Sequence, residues 1–478
     1  MKKTNSTRLI LGFAGSLLAM GSLQAQTTTP APASNQALSS NAISEITNGA
    51  GSATPGGSGL WGYTFGDYAY MGHGDSAARG TKEQYKGLGA AHQASNPNAF
   101  EIRRAYLGYT QKINDKFSAY ALLAYEGDQD ISDNRTVYLK YAYFKWKGIF
   151  KGSDLKIGQQ ATNSFANAYN TEPLMGYRSV EKTILDMHGI DGSSDMGVTL
   201  EGKIWHNTPA DSTMLPTFIG YSAMVGDNSG NNPVAGFTGA ATSVSGSNPS
   251  VALNPFNNTT DKDKKFRGNL YVNTLNGALT VGLYADYLNY GDNLYNTYVN
   301  NVPTNSTSSH LKEAVQTTKV YAVYNSKWFG LGAEWFTQSM TNGETETWSK
   351  PVAGETNDTV NSVQTGLSIF AHGTIIQNKL NIFVRYDMYT PDNVYSHTVV
   401  GGVTEAFTSH FSNVSGSANG NSYKENFMTA GLDWSPTSDK KVHFMPNIWY
   451  YQINNGYGSD ALKSDNYMVY RISFLYAF

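Results

Sequence analysis

The sequence predicts an all-β fold, a transmembrane antiparallel β-barrel of about 16 strands. From Trp61 onward, segments of about ten residues alternate apolar and polar positions between clusters of Gly, Asn, Asp, Ser and Pro. The connections between these segments alternate between short and long, and the last segment is an aromatic strand that ends at Phe478. A soluble β-sandwich has no reason to alternate its loop lengths in this way, so the pattern favours a barrel.

The composition agrees with a barrel and excludes several other classes. The 478 residues include 32 Tyr, 21 Phe and 8 Trp, and aromatic side chains are typical of the girdles at the two membrane interfaces. Only 40% of the residues are hydrophobic, and a helical membrane protein would need several apolar runs of about 20 residues. Cysteine is absent, which excludes disulfides, thiol catalysis and Cys-bound metals.

The N-terminus predicts export. Residues 1–25 resemble a signal peptide, because a basic start precedes an apolar core at 9–18 and Ala25 ends a cleavage site. A membrane anchor is the alternative, but the apolar stretch is too short to span a bilayer. The chain has 34 Lys and Arg and 37 Asp and Glu, and three of these basic residues lie in the signal segment. The mature protein is therefore net acidic, and nucleic acid is not expected as a partner.

Residues 26–58 contain few large apolar side chains, so they cannot bury enough surface to fold. We interpret them as a flexible periplasmic linker. The barrel is predicted to occupy residues 59–478.

Sixteen segments show the alternation, and an even number is expected when both termini are periplasmic. They lie near residues 61–71, 99–111, 116–126, 135–147, 154–160, 195–206, 214–227, 265–275, 277–290, 315–326, 328–339, 364–376, 378–390, 424–435, 441–453 and 466–478. In the clearest of them, one face carries Leu380, Ile382, Val384, Tyr386 and Met388, and the other carries Asn381, Phe383, Arg385, Asp387 and Tyr389.

The connections fall into two groups. Short turns are expected near 114–115, 326–327, 377–378 and 436–440, and long polar connections at 72–98, 227–264, 291–314, 340–363 and 391–423. Short periplasmic turns and long outer loops are typical of an outer-membrane barrel. The charge run at 261–265 is interpreted as a solvated strand end.

The last strand carries the sharpest local signal. Its aromatic and apolar face resembles the signal that the barrel-assembly machinery of the outer membrane recognises, and it comprises Tyr470, Ile472, Phe474, Tyr476 and Phe478. Arg471 lies on the opposite face, which predicts that it points into a lumen, because a lipid-facing Arg costs about 2–4 kcal/mol at the midplane. The alternative is an amphipathic edge strand of a soluble sheet, which would leave an aggregation-prone edge.

Several motifs in order resemble the phosphate-selective porin O/P family. The most specific is Phe100–Tyr109 with its Arg103-Arg104 pair. Further matches are at 137–143, 155–159, 172 with 178–181, 195–198, 384–387 and 430–434. The resemblance extends over most of residues 99–478. It implies a sixteen-stranded barrel, a homotrimer, and an inward-folded loop that narrows the pore.

Residues 161–194 are the candidate for that constriction loop, because they follow the fifth segment and lack strand alternation. Facing charges across a constriction would select solutes; the alternative is an external loop with solvated charges. The acids Glu172, Glu181, Asp186, Asp191 and Asp195 outnumber the bases Arg178 and Lys182. This balance favours a general or weakly cation-preferring pore over a phosphate filter.

The resemblance thus implies an outer-membrane porin for passive diffusion of small hydrophilic solutes or ions in a Gram-negative bacterium, and the charge balance of the loop favours weak charge selectivity. The alternatives are a structural or adhesive barrel with a closed lumen and a phosphate- or anion-selective porin. The expected partners are outer-membrane lipids, lipopolysaccharide, the barrel-assembly machinery and the diffusing solutes. Candidate pore-lining residues are Arg104, Lys156, Glu172, Arg178, Glu181, Lys182, Asp195, Glu334, Arg385, Asp387 and Arg471. No triad spacing, phosphate-binding loop or zinc motif stands out, so no catalysis, cofactor or metal is expected.

Overall fold

The computed structural model describes most of the barrel. The described residues are 58–74, 98–126, 136–164, 182–206, 218–228, 264–275, 278–299, 302–326, 328–347, 357–390, 399–400, 403–404, 423–437, 439–455 and 465–478. The signal peptide at 1–25 and nearly all of the linker at 26–58 lie outside them, so both stay predictions.

Sixteen antiparallel strands form a closed barrel, as the alternation predicted. They are β1 (Gly59–His73), β2 (Asn98–Lys112), β3 (Phe117–Glu126), β4 (Tyr138–Phe150), β5 (Ser153–Ala161), β6 (Ser194–His206), β7 (Phe218–Gly226), β8 (Lys265–Thr274), β9 (Leu279–Val299), β10 (Val302–Asn325), β11 (Phe329–Thr347), β12 (Asn357–Ile376), β13 (Leu380–Thr390), β16 (Tyr423–Trp434), β17 (Val442–Asn455) and β18 (Asp465–Ala477). The short pair β14 (Val399–Val400) and β15 (Val403–Thr404) forms a separate hairpin. Consecutive barrel strands pair with each other, β13 pairs with β16, and β18 closes on β1.

The burial pattern is the reverse of that in a soluble protein. On β18, Ile472 is 52% exposed, whereas its neighbour Arg471 is only 3% exposed. The same inversion recurs on β9, where Leu283 is exposed and Asp286 is buried. Apolar side chains thus form the outer surface, where lipid replaces water, and polar side chains line the inner face.

Two of the predicted long loops are wrong. The stretches 291–314 and 340–363 were expected to be polar connections, but β9 and β10 pair almost to their shared tip, and β11 and β12 extend in the same way. Both stretches are rich in Thr, Ser and Asn. Beyond the bilayer no apolar face is needed, so these strands continue in water without the alternation that sequence reading relies on.

Aromatic rings of β18 cover glycines of β1 at the seam between these two strands. Gly62 and Phe478 exchange two backbone hydrogen bonds of 3.3 and 3.0 Å. The Phe478 ring lies over Gly62 and the Phe474 ring over Gly66, so that a Cβ at either glycine would come within 2.5 Å of a ring carbon. Rings that cover glycines in this way pack the surface of the closing strand pair.

A short helix, α1 (Ile184–Met187), precedes β6. Its N-cap is Thr183, whose hydroxyl accepts a hydrogen bond from the Asp186 backbone N–H. The sequence predicted an irregular connection here and no helix. Among the described residues, no helix is long and apolar enough to cross a bilayer.

Candidate pore interior

A β-bulge places both residues of the Arg103-Arg104 motif on the inner face. Phe65 of β1 pairs with Arg104 and the next residue, Gly66, pairs with Ile102, so Arg103 is an extra residue. The Arg103 guanidinium lies 3.4 Å from Asp67 and that of Arg104 lies 3.5 Å from Glu126. Strict alternation would send one arginine into lipid at a cost of about 2–4 kcal/mol, and the bulge removes that cost.

A second bulge does the same for Lys140 on β4. Leu122 pairs with Tyr141 and Leu123 with Leu139, which leaves Lys140 as the extra residue. The Lys140 ammonium lies 2.6 Å from Glu126 and donates to the Ser193 hydroxyl at 3.0 Å. Glu126 therefore binds two bases from two bulged strands, and it also accepts hydrogen bonds from Tyr106 and Tyr138.

Arg471 lies at the barrel seam and faces inward, as predicted. Its Nη1 donates to Asp67 at 2.5 Å, and its guanidinium carbon lies 4.1 Å from the Trp449 ring centroid. The Arg103 guanidinium stacks at 5.0 Å on the same ring. One carboxylate and one indole thus stabilise two arginines from opposite sides of the seam.

Residues 182–193, here called the inner segment, bind the wall at β8 through Asp191. Arg267 Nη2 and Lys265 Nζ both lie 2.9 Å from Asp191, and Arg267 Nη1 lies 2.7 Å from Asp195. Burial raises the pKa of Asp191, but the Arg267 and Lys265 charges outweigh it and lower that pKa well below its usual range. Asp191 is therefore ionised when the segment is in place.

The other end of the inner segment reaches the wall at β13, which lies five strands from β8 and seven from β6, the strand that follows the segment. There Arg385 Nη1 donates to the Lys182 carbonyl oxygen at 2.5 Å, and Glu334 accepts from the Ile184 backbone N–H at 3.4 Å. The segment therefore lies inside the barrel and crosses from one wall toward the opposite one.

His188 lies in this far contact. Its ring stacks on Tyr389 with centroids 3.6 Å apart, and its Nδ1 lies 3.7 Å from the Glu425 carboxylate. Burial and the nearby Arg385 charge lower the pKa of His188 to about 3. The imidazole is consequently neutral at physiological pH.

The structure places most candidate pore-lining residues on the inner face in ion pairs. Lys156 lies 2.6 Å from Glu201, Lys319 pairs with Glu334, and Arg385 pairs with Asp387. Arg104, Asp195 and Arg471 are described above, and Lys182 contributes its carbonyl oxygen. Glu172, Arg178 and Glu181 lie outside the described residues. The assignment of all these candidates as pore-lining stays a prediction.

Sequence reading missed the partners of the acids in the loop. Lys265 was interpreted as part of a solvated strand end, but it is 3% exposed and binds Asp191. Lys265 and Arg267 lie two residues apart on one face of β8, so the period-two signal that found other inward residues was available for them too. Counting charges within the loop alone therefore overstated its acidity.

No group of His, Cys, Asp or Glu within the described ranges is arranged to hold a metal ion. The described inner face is thus built from ion pairs, hydroxyls and aromatic rings. Such a surface can offer hydrogen bonds to a passing solute in competition with water.

Comparison with known proteins supports the family resemblance. A family model described as phosphate-selective porin O and P matches residues 82–174, which confirms the resemblance that the motifs predicted. No curated protein matches the chain. The family match and the closed barrel place the protein in the outer membrane of a Gram-negative bacterium.

Two solved structures share the fold. The outer membrane channel DcaP of Acinetobacter baumannii is 12% identical, with a TM-score of 0.51, and the match covers 88% of this chain and 97% of that one. OprB of Pseudomonas putida is 13% identical, with a TM-score of 0.50, and the coverage is 89% and 95%.

Proposed function

We propose that this outer-membrane barrel is a porin, through which small hydrophilic solutes and ions diffuse passively down their gradients. The observation that carries the proposal is the inner face itself. Side chains that would be costly in lipid, such as Arg471 and Asp286, point inward in a closed barrel of 16 strands. A barrel of this size encloses more volume than its own side chains usually fill.

The inner segment is proposed to narrow this lumen. It binds β8 through Asp191 and β13 through Arg385, so a solute has to pass beside it. Residues 165–181 of the candidate constriction loop lie outside the described residues, and their charges belong to the proposal only as predictions from the sequence.

Charge selectivity is proposed to be weak, because bases and carboxylates are matched along the wall. Asp67 binds Arg103 and Arg471, Glu126 binds Arg104 and Lys140, Glu201 binds Lys145 and Lys156, and Asp191 binds Lys265 and Arg267. The further acids Asp154, Asp195 and Asp286 contact the same bases. A phosphate filter needs cations without matching acids, so these pairs argue against carrying the family's phosphate label over to this protein.

Purified protein in planar bilayers should give discrete conductance steps. Reversal potentials measured across asymmetric KCl and across asymmetric potassium phosphate should both give similar permeabilities for anions and cations. Protein that runs as a folded barrel but gives no conductance would contradict the proposal and favour a structural barrel. A strong preference for phosphate would contradict the weak selectivity.

The remaining parts of the proposal rest on the family resemblance. We propose a homotrimer surrounded by phospholipid and lipopolysaccharide, and no enzymatic activity. The mass of the detergent-solubilised protein, measured by light scattering with the detergent contribution subtracted, tests the trimer directly.

A further inference from the structure

Two stacked tyrosines on the inner face are more exposed than most aromatic side chains there. Tyr120 of β3 and Tyr143 of β4 are paired in register, next to the buried inward pair Leu122 and Tyr141. Their ring centroids lie 4.7 Å apart at an interplanar angle of 13°. Both are partly exposed, whereas Tyr284 on the inner face is fully buried. They form a stacked pair of rings on the inner face that keeps part of its surface accessible.

A charge-balanced group of side chains adjoins this surface. Lys156 Nζ lies 5.9 Å from the Tyr143 ring centroid and 2.6 Å from Glu201. Lys145 Nζ lies 3.2 Å from Glu201 and 3.0 Å from Asp154. The side chains of both lysines and of Asp154 retain 20–25% exposure. Two ammonium groups and the Asp154 carboxylate thus remain partly accessible beside the rings, and the nearly buried Glu201 completes a group with no net charge.

Two hydroxyl groups lie beside these charges without a protein partner. Thr199 is paired in register with Lys156, and Ser222 with Glu201. Both side chains are more than nine-tenths buried, and within the described part of the chain neither hydroxyl oxygen has a hydrogen-bond partner. Buried hydroxyls are normally hydrogen-bonded, so this part of the wall has polar groups in excess of those that the protein satisfies.

We propose that Tyr120, Tyr143, Lys145, Lys156 and Glu201, here called the turn-end patch, form a binding site for neutral sugars on their way through the pore. The proposal rests on the porin function proposed above and names a solute class for it. The apolar C–H face of a pyranose ring fits an aromatic platform, while each sugar hydroxyl can accept from an ammonium group and donate to a carboxylate.

The charge balance decides between sugars and anions. An aromatic carboxylate could also stack on the tyrosines, but it would need an uncompensated cation. Lys145 and Lys156 are already neutralised by Glu201 and Asp154. An added carboxylate would instead lie close to the two carboxylates that already neutralise these lysines, and like charges at short range repel each other. A neutral hydroxylated ring leaves the pairs in place and adds hydrogen bonds to them.

The test is the interruption of single-channel current in KCl by maltotriose, with sodium benzoate as the competing probe. We expect maltotriose to reduce the current reversibly, and Tyr143→Ala to weaken the apparent binding constant about tenfold. Tyr143→Phe should retain the binding because it keeps the ring. Tyr287→Ala, on the lipid-facing side, is the matched control.

The outcomes separate this inference from the porin function. Conductance without added sugar tests the porin function alone, and its absence would contradict both the porin function and the sugar site. Conductance that maltotriose does not interrupt overturns the sugar site but leaves the porin. Interruption by benzoate and not by maltotriose also overturns it. If Tyr143→Ala does not fold, Tyr120→Ala tests the same stack, and unchanged block in that variant would show that the sugar binds elsewhere.

Discussion

Replacing Arg267 with Met should release the inner segment from the wall of β8. The Arg267 and Asp191 side chains are 2% and 1% exposed, and Arg267 donates to both oxygens of Asp191 as well as to Asp195. Removing one partner of a buried ion pair costs about 3–5 kcal/mol. Lys265 remains 2.9 Å from Asp191, so the lower end, about 3 kcal/mol, applies. That figure corresponds to a roughly 10²-fold larger population of released segment.

Thiol labelling measures this population without interference, because the chain contains no cysteine. Met187 of α1 is buried, so Met187→Cys reacts with a maleimide only after the segment leaves the wall. Its labelling rate should rise about 10²-fold when Arg267→Met is added, provided that the segment leaves β8 and β13 as one unit and opens and closes faster than it is labelled. The rate is expressed relative to Gly192→Cys, whose backbone position is exposed.

Lys145→Met is the matched control, because it breaks an ion pair of the wall that does not contact the inner segment. Met187→Cys should be labelled at the same rate with and without Lys145→Met. Equal rates with and without Arg267 would refute the reasoning, since they would show that the Asp191 ion cluster does not determine the position of the segment.

The other two predictions concern acid sensitivity and the seam. His188 has a pKa of about 3 while the inner segment is bound to the wall and an ordinary pKa near 6.5 once the segment is released, so protonation favours release as the pH falls below about 6.5. Below that pH, the normalised labelling rate of Met187→Cys should rise by up to tenfold per pH unit. His188→Asn should remove this pH dependence. Gly66→Ala should destabilise the barrel by about 1–3 kcal/mol, because the added Cβ would lie 2.5 Å from the Phe474 ring. The temperature at which the folded band is lost in gel electrophoresis should fall in Gly66→Ala and stay unchanged in Thr64→Ala.

The strand architecture could be predicted because its cause is local. Each membrane strand must present apolar side chains to lipid at every second position, and this requirement is visible in the strand's own residues. Ile382 and Arg385 were assigned to opposite faces on that basis, and the structure places Ile382 outside and Arg385 inside. The same reasoning failed for 291–314 and 340–363, where the strands leave the bilayer and the requirement ends.

The interior could be predicted only in part, because its contacts join residues far apart in sequence. The bulges at Arg103 and Lys140 depend on the register of neighbouring strands, which alternation within one strand does not reveal. The contact between Asp191 and Arg267 joins a loop to a strand 76 residues away. The sequence therefore identified candidate charges but not which of them neutralise one another.

The same ion pairs that balance the charge of the lumen also determine where the inner segment lies, and this limits how selectivity can be tested. Removing Arg267 changes the charge of the wall and frees Asp191 at once, so an altered reversal potential could come from either cause. Arg103 is the better probe, because its described contacts, with Asp67, Phe65 and Trp449, lie on wall strands. Asp67 keeps Arg471 as a partner when Arg103 is removed. Charge preference is therefore best probed at the bulge of β2, and the position of the inner segment at β8.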